Sequence, residues 1–301
     1  MNNGAEEASN YKGKDEKMAI FYNRATISYN GQSLNSNQVS GEILEALTMT
    51  KTAISGSYGI GDSVSYAVSI VNSGITAING LTLTDDLGAY TVGTSTLVPL
   101  SYRDGSVIYY IDGALQPAPT VTTTDNLVIT GINIPAGSNA TIIYEALANG
   151  YAPLAAGSSI TNTVTVTGGG IASPLTDTAT VPVSEEPDLS IAKAICPPVV
   201  SDNGQLTYTF IIQNTGNTPI IATDNLTVTD IFNPVLENIS VTLNGTTLTL
   251  GTGYTYDQTS GEFATLPGIV TVDAATYTQD PDSGLITVNP GVSVLTVTGT
   301  V

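Results

Sequence analysis

The sequence predicts an all-β protein made of two antiparallel sandwiches in tandem, and three observations predict it. No window keeps a 3.6-residue apolar period, so helix is expected only as a minor component. Among the 301 residues, 30 Gly and 15 Pro punctuate short runs rich in Thr, Val and Tyr, which is the composition of strands joined by tight turns. The two halves of the chain also repeat one another in register.

The repeat is fixed by spacing. Leu47-Thr48-Met49-Thr50-Lys51 aligns with Leu189-Ser190-Ile191-Ala192-Lys193, and Tyr66 and Tyr208 each follow their lysine by fifteen residues. Asn72 and Asn214, each opening an Asn-x-Gly turn, follow by 21. After a short insertion in the second copy, LTLTD ending at Asp85 matches LTVTD ending at Asp230. A register held over this length marks an internal repeat.

Taken in order, residues 1–17 are polar and mixed in charge. They read as a flexible arm and not as a secretory signal. Residues 18–44 carry two alternating strands whose pattern belongs at the end of a repeat. Asn23 before Arg24-Ala25-Thr26-Ile27 copies Asn162 before Thr163-Val164-Thr165-Val166. The first repeat occupies 45–185. Its turn signals include Asp112-Gly113 and Ile134-Pro135-Ala136-Gly137, each suited to a tight connection. After the Ser184-Glu185-Glu186-Pro187 linker the second repeat runs over 186–301, with Asn244-Gly245, Asp282-Ser283-Gly284 and Asn289-Pro290-Gly291 in the matching roles. Short strands, turn signals and no helical crossovers give each repeat an immunoglobulin-like two-sheet topology.

The last strand, Leu295–Val301, resembles Ala140–Glu145, and the two closing strands expected after it are absent, whereas residues 18–44 form a closing pair with nothing before it to close. A sandwich without its closing strands exposes a hydrophobic groove and a row of unpaired backbone groups. The expectation is that the second domain is completed by the N-terminal strands of a neighbouring subunit, head to tail. Such a contact is heterologous and generates an open filament unless the rotation closes a ring. Strand donation of this size buries about 2,000 Å² or more. The expected partners are therefore copies of the same chain.

Seven basic residues against 26 acidic give a net charge of −19, which repels nucleic acid and anionic membrane alike. No run of about 18 apolar residues could span a bilayer, so membrane insertion is not expected. With no His, histidine-based nucleophilic catalysis and histidine metal sites are excluded, and no cofactor is implied. The single cysteine, Cys196, cannot form an internal disulfide. It reads either as a small half-buried side chain or as one half of an intersubunit disulfide.

Beyond Arg24 the chain has three basic side chains, Lys51, Arg103 and Lys193, and the two lysines share one repeat position inside a strand. That pattern fits an intramolecular isopeptide bond, which needs a Lys on the first strand, an Asn on a closing strand and a carboxylic acid between them. Burial favours the neutral amine and the protonated acid that such chemistry uses. The first domain offers Lys51, Asn162 and Asp85. The second offers Lys193 and Asp230, with Asn23 on the donated segment, so its bond would join subunits. The competing reading is a pair of buried ion pairs, Lys51–Asp85 and Lys193–Asp230, held for specificity. Asn72 and Asn214 read as turn residues.

The combination L-x-x-x-K, Y-x-x-x-x-x-N-x-G, L-T-V-T-D and N-x-x-T-V resembles the bacterial surface repeat called domain of unknown function 11, over nearly all of the chain after residue 18. The resemblance implies immunoglobulin-like modules of cell-wall, surface-layer and appendage proteins, and the chain also looks like repeat proteins of clostridial spore appendages. Two function classes follow. One is a structural filament subunit on the cell or spore surface; the other is a monomeric adhesin or surface-layer module that binds carbohydrate or a host protein through its loops.

Overall fold

A computed structural model describes residues 19–43 and 46–301, and the expected arm at 1–17 lies outside the described residues. The chain opens with a two-step hairpin. In it β1 (Ala19–Asn23) pairs with β4 (Val39–Ile43), and β2 (Thr26–Tyr29) pairs with β3 (Gln32–Asn35). The tip turns through Asn30 and Gly31, both at positive φ, the geometry a type I′ connection needs. Tyr22, Ile27, Tyr29, Leu34 and Val39 are all exposed, Tyr29 at 78%.

Thirteen strands build the first sandwich: β5 (Leu47–Ala53), β6 (Ser63–Asn72), β7 (Ile78–Asp85), β8 (Tyr90–Val92), β9 (Ser95–Leu97), β10 (Leu100–Tyr102), β11 (Ile108–Ile111), β12 (Ala114–Leu115), β13 (Thr120–Thr123), β14 (Leu127–Ile134), β15 (Asn139–Ala148), β16 (Ser159–Gly168) and β17 (Leu175–Pro182). One sheet runs β12-β11-β15-β6-β5, with β10 also on β15, and the other runs β13-β14-β7-β16-β17. Reading β5, β6, β15 and β11 as strands A, B, E and D, and β7, β16 and β17 as C, F and G, gives the immunoglobulin arrangement. Period-two alternation aims one face of each strand inward. Val64, Tyr66, Val68 and Ile70 of β6 meet Ile160, Val164 and Val166 of β16 in one buried cluster.

The second sandwich repeats half of this plan. Its strands are β18 (Leu189–Cys196), β19 (Gln205–Asn214), β20 (Thr229–Ile231), β21 (Glu237–Leu243), β22 (Thr246–Leu248), β23 (Tyr254–Tyr256), β24 (Glu262–Thr265), β25 (Thr276–Gln279), β26 (Ile286–Asn289) and β27 (Gly291–Thr300). The sheet β18-β19-β27-β21-β22 reproduces A-B-E-D in order. The opposing sheet shrinks to β20-β24-β23. Among the described residues no strand pairs with the outer edge of β20, where the first sandwich has β16 on β7. Without that neighbour β20 keeps three residues against the eight of β7. Every position of β18 is exposed, whereas Leu47 and Lys51 of β5 are buried under β17.

Hairpin β25–β26, absent from the first repeat, braces the joint between the sandwiches. Its Gln279 Nε2 donates to Tyr90 Oη at 2.8 Å, and the Ile286 amide donates to the Gly150 carbonyl at 3.2 Å. Asn217 Nδ2 bonds the carbonyls of Leu154 and Ser184, and its Oδ1 accepts from the Glu186 amide.

Candidate functional site

In the first sandwich the strand pleat places Lys51 of β5 on the inner face, where it spans the core to Asp85 at the end of β7. Lys51 Nζ lies 2.6 Å from Asp85 Oδ2, and neither side chain touches solvent. Charges so far from water persist only when paired and hydrogen-bonded. Accordingly Asp85 Oδ2 also accepts from Tyr144 Oη of β15, and Oδ1 accepts from the Leu87 amide at 3.0 Å. The ammonium sits 4.8 Å from the centre of the Tyr66 ring, which stacks on Tyr144 at 5.6 Å. The backbone of the same lysine donates to Asp177 Oδ2 of β17 at 2.7 Å, tying the first strand to the last.

Asn162 is fully buried on β16, two residues from Val164, which faces Asp85 across the ladder. Its Oδ1 accepts from the Gly88 amide at 3.2 Å, while its Nδ2 has no partner; nor does the buried Tyr66 hydroxyl. Gly88 is at φ +76, and a Cβ there would come within 2.5 Å of Ile160, so glycine is what allows this close approach. Burial is the main cause that lowers the Lys51 pKa, partly offset by the Asp85 charge. Burial also raises Tyr66 and holds Tyr144 well above the ordinary phenol value, both with help from Asp85. Lys51 and Asp85 are thus in direct contact, and the third expected member, Asn162, is buried on β16 two residues from the one that faces Asp85.

The second sandwich holds the first two members alone. Lys193 Nζ pairs with Asp230 Oδ2, but the side chains are 40% and 19% exposed. The expected buried ion pair is therefore a wet one here, because the strands that dry the first site have no counterpart among the described residues of this sandwich. Lys193 Nζ lies 4.4 Å from the Tyr208 ring centre and 5.4 and 5.5 Å from those of Phe210 and Phe232. Asn23 is exposed on the leading hairpin, whose strand pairings are all internal to it. An open cleft of about 550 Å³ lies along β20, β24 and β23, lined by Asp230, Ile231, Tyr256 and Phe263.

Sequence reasoning missed Tyr144 and Asp177. Tyr144 stands at an inward position of an alternating strand, and Asp177 is a charge inside a Thr/Val strand, signals that mark unusual side chains without saying where they meet. In the second sandwich Val297, which faces Tyr208 as Tyr144 faces Tyr66, takes the place of that phenol. Asn72 and Asn214 are buried turn staples: each Oδ1 accepts from the amide two residues on, and each Nδ2 binds the carbonyl four residues on. Cys196 is exposed at the end of β18, which corrects the half-buried alternative.

Among the described residues no cluster of His, Cys, Asp and Glu is arranged to hold a metal ion, and no helix is long and apolar enough to cross a membrane. No family pattern matches the chain, and no curated protein matches it. Solved structures similar to it include the pilus backbone protein RrgB of Streptococcus pneumoniae, at 13% identity and a TM-score of 0.33 over 81% of this chain. The major pilin subunit BcpA of Bacillus cereus is 14% identical over 92% of this chain and 73% of its own, with a TM-score of 0.32. The collagen-binding subdomain of the Enterococcus faecalis surface protein ACE is 8% identical over 46% of this chain and 98% of its own, with a TM-score of 0.30. The chain spans 55% of the pneumococcal protein's length.

Proposed function

We propose that the protein is a structural subunit of an extracellular or spore-surface filament that polymerises head to tail by strand donation, and that a Lys193–Asn23 isopeptide bond locks each joint. The carrying observation is the outer edge of β20, unpaired among the described residues, beside the half-solvated Lys193–Asp230 pair. It occurs in a chain whose leading hairpin repeats the Asn-and-alternation pattern of β16 and leaves its apolar side chains exposed. An open edge and an exposed apolar hairpin are each costly in water, and docking one on the other removes both costs.

The chemistry balances without a cofactor. Proton transfer from Lys193 to Asp230 leaves a neutral amine and a carboxylic acid. Lys193 Nζ attacks Cγ of Asn23 from the neighbouring subunit, an N–C bond forms, and the Cγ–Nδ2 bond breaks. Both lysine protons pass to the leaving nitrogen, one directly and one returned by Asp230, so ammonium departs and the carboxylate is restored. The first sandwich carries the same constellation in Lys51, Asp85 and Asn162. Its resemblance to the surface-repeat family makes a cell or spore exterior the proposed location.

Complementation tests the reading. Asn23→Ala removes the acceptor and Lys193→Met removes the nucleophile, each from a different end. Neither variant alone should give SDS-resistant species, and their mixture should give covalent dimers and nothing larger. A purified wild-type chain that shows no fibres by negative stain and no SDS-resistant ladder would sink the proposal in favour of a monomeric surface module.

A further inference from the structure

Resting on the docking just described, we infer its residue register: the leading hairpin enters the neighbour's second sandwich with Ala25 opposite Asp230 and Thr26 opposite Thr229, and Ala25 is the residue that fits it there and nowhere else. The first sandwich supplies the template. On its closing strand Val164, Thr165 and Val166 face Asp85, Thr84 and Leu83, with Asn162, Val164 and Val166 buried and Thr165 turned outward. In the hairpin, Asn23, Ala25 and Ile27 repeat the inward spacing, with Arg24 and Thr26 between them. A slip of one residue would turn the whole inward row to solvent, so the alternatives that keep the apolar face inward are slips of two.

Volume decides against those. Around the lysine, the first sandwich has Val68 and Leu87, whereas the second has Phe210 and Phe232 at the matching places, both buried and both within 5.5 Å of Lys193 Nζ as ring-centre distances. Val297 in the place of Tyr144 gives back part of the added volume, and the strand that covers this site gives back the rest. At the position opposite the aspartate, the first closing strand carries Val164 and the hairpin carries Ala25. Large replaces small on the acceptor, and small replaces large on the donor, which is how packed cores accept substitution. A slip of two would bring Asn23 or Ile27 against the two rings, one polar and one branched.

Dibromobimane, which fluoresces when it bridges two neighbouring thiols, reads the register directly. With Cys196→Ser as background, Thr26→Cys with Thr229→Cys should give fluorescent, covalently linked oligomers, and Ser28→Cys with Thr229→Cys should not. Independently, Ala25→Leu should raise the concentration needed for assembly by about tenfold, and adding Phe210→Val should restore it. Filaments that bridge through Ser28→Cys, or through neither pair, overturn the register while leaving strand donation standing. An Ala25→Leu chain that assembles as readily as the parent overturns the fit. Absence of filaments from the unsubstituted chain removes the docking and the register together.

Discussion

Lys51 Nζ lies 2.6 Å from Asp85 Oδ2 with both side chains wholly shielded from water, while the same two residue types in the second sandwich, Lys193 and Asp230, pair at a site still open to it. One repeat thus presents a single ion pair in two dielectric settings. Removing one partner of a buried pair strands the other, at about 3–5 kcal/mol, whereas a solvated pair is worth about 1 kcal/mol or less. In an Asn162→Ala background, where no amide bond can form, Asp85→Ala should therefore cost the first sandwich about 3–5 kcal/mol, and Asp230→Ala in the unassembled chain about 1 kcal/mol. Denaturant unfolding of each single variant against its parent checks the contrast, and equal costs would contradict it.

Alkaline pH should attack the first sandwich through its tyrosines. Burial pushes Tyr58 up to about 12 and raises Tyr66 and Tyr144 from the ordinary value of 10.0. For an acid whose pKa is raised on folding, the folded state holds more protons than the unfolded state once pH passes the unfolded value. The stability is complete below pH 10 and is lost as pH climbs through the folded values. Tyrosinate absorbance should accordingly appear in two phases. Phenols at the surface ionise first, and the buried set ionises together with loss of the β-sheet circular dichroism signal. Gradual ionisation of all fifteen tyrosines with the sheet signal intact would contradict this.

Much of this was legible in the sequence because it is written in local spacing. The lysine, tyrosine and asparagine of each repeat keep step along single strands, and the pleat alone turns Lys51 inward. The meeting of Lys51 with Asp85 was foreseen from the repeat. Tyr144 was not, because its approach to the same carboxylate depends on how two sheets pack face to face, which no strand records by itself. The wet second pair also escaped, since exposure reflects the missing neighbours of β20 and not the residues of the pair. The brace at β25–β26 lies beyond the aligned stretch, which ends at Asp230; its turn at Asp282-Ser283-Gly284 is local, but its contacts reach into a different sandwich.

Bond formation should follow the difference in solvation. Lys51, Asp85 and Asn162 lie buried in one chain, so on the chemistry proposed above a Lys51–Asn162 bond would need nothing beyond folding. The second site is open to water at Lys193 and, on the same proposal, lacks its acceptor until a neighbour docks. Intact mass of chain held monomeric by dilution should fall by one ammonia, and by none in Lys51→Met. Mass lost through Lys193 should appear only in the SDS-resistant fraction. A second ammonia missing from the monomer would contradict this order.

The joint between the sandwiches should stiffen the chain. Gly284 is at φ +74 against Leu97, and a Cβ there would come within 2.4 Å of that side chain, so hairpin β25–β26 approaches the first sandwich through a position that only glycine fills without strain. Asn217 adds three hydrogen bonds across the linker. With both in place the sandwiches share one set of contacts and melt together. Gly284→Val combined with Asn217→Ala removes the close approach and the hydrogen bonds while leaving both cores intact. Small-angle scattering should then show a broadened distribution of end-to-end distances, and calorimetry should separate one transition into two. An unchanged distribution with a single transition would mean that the linker alone sets the angle, and that the inserted hairpin contributes no rigidity.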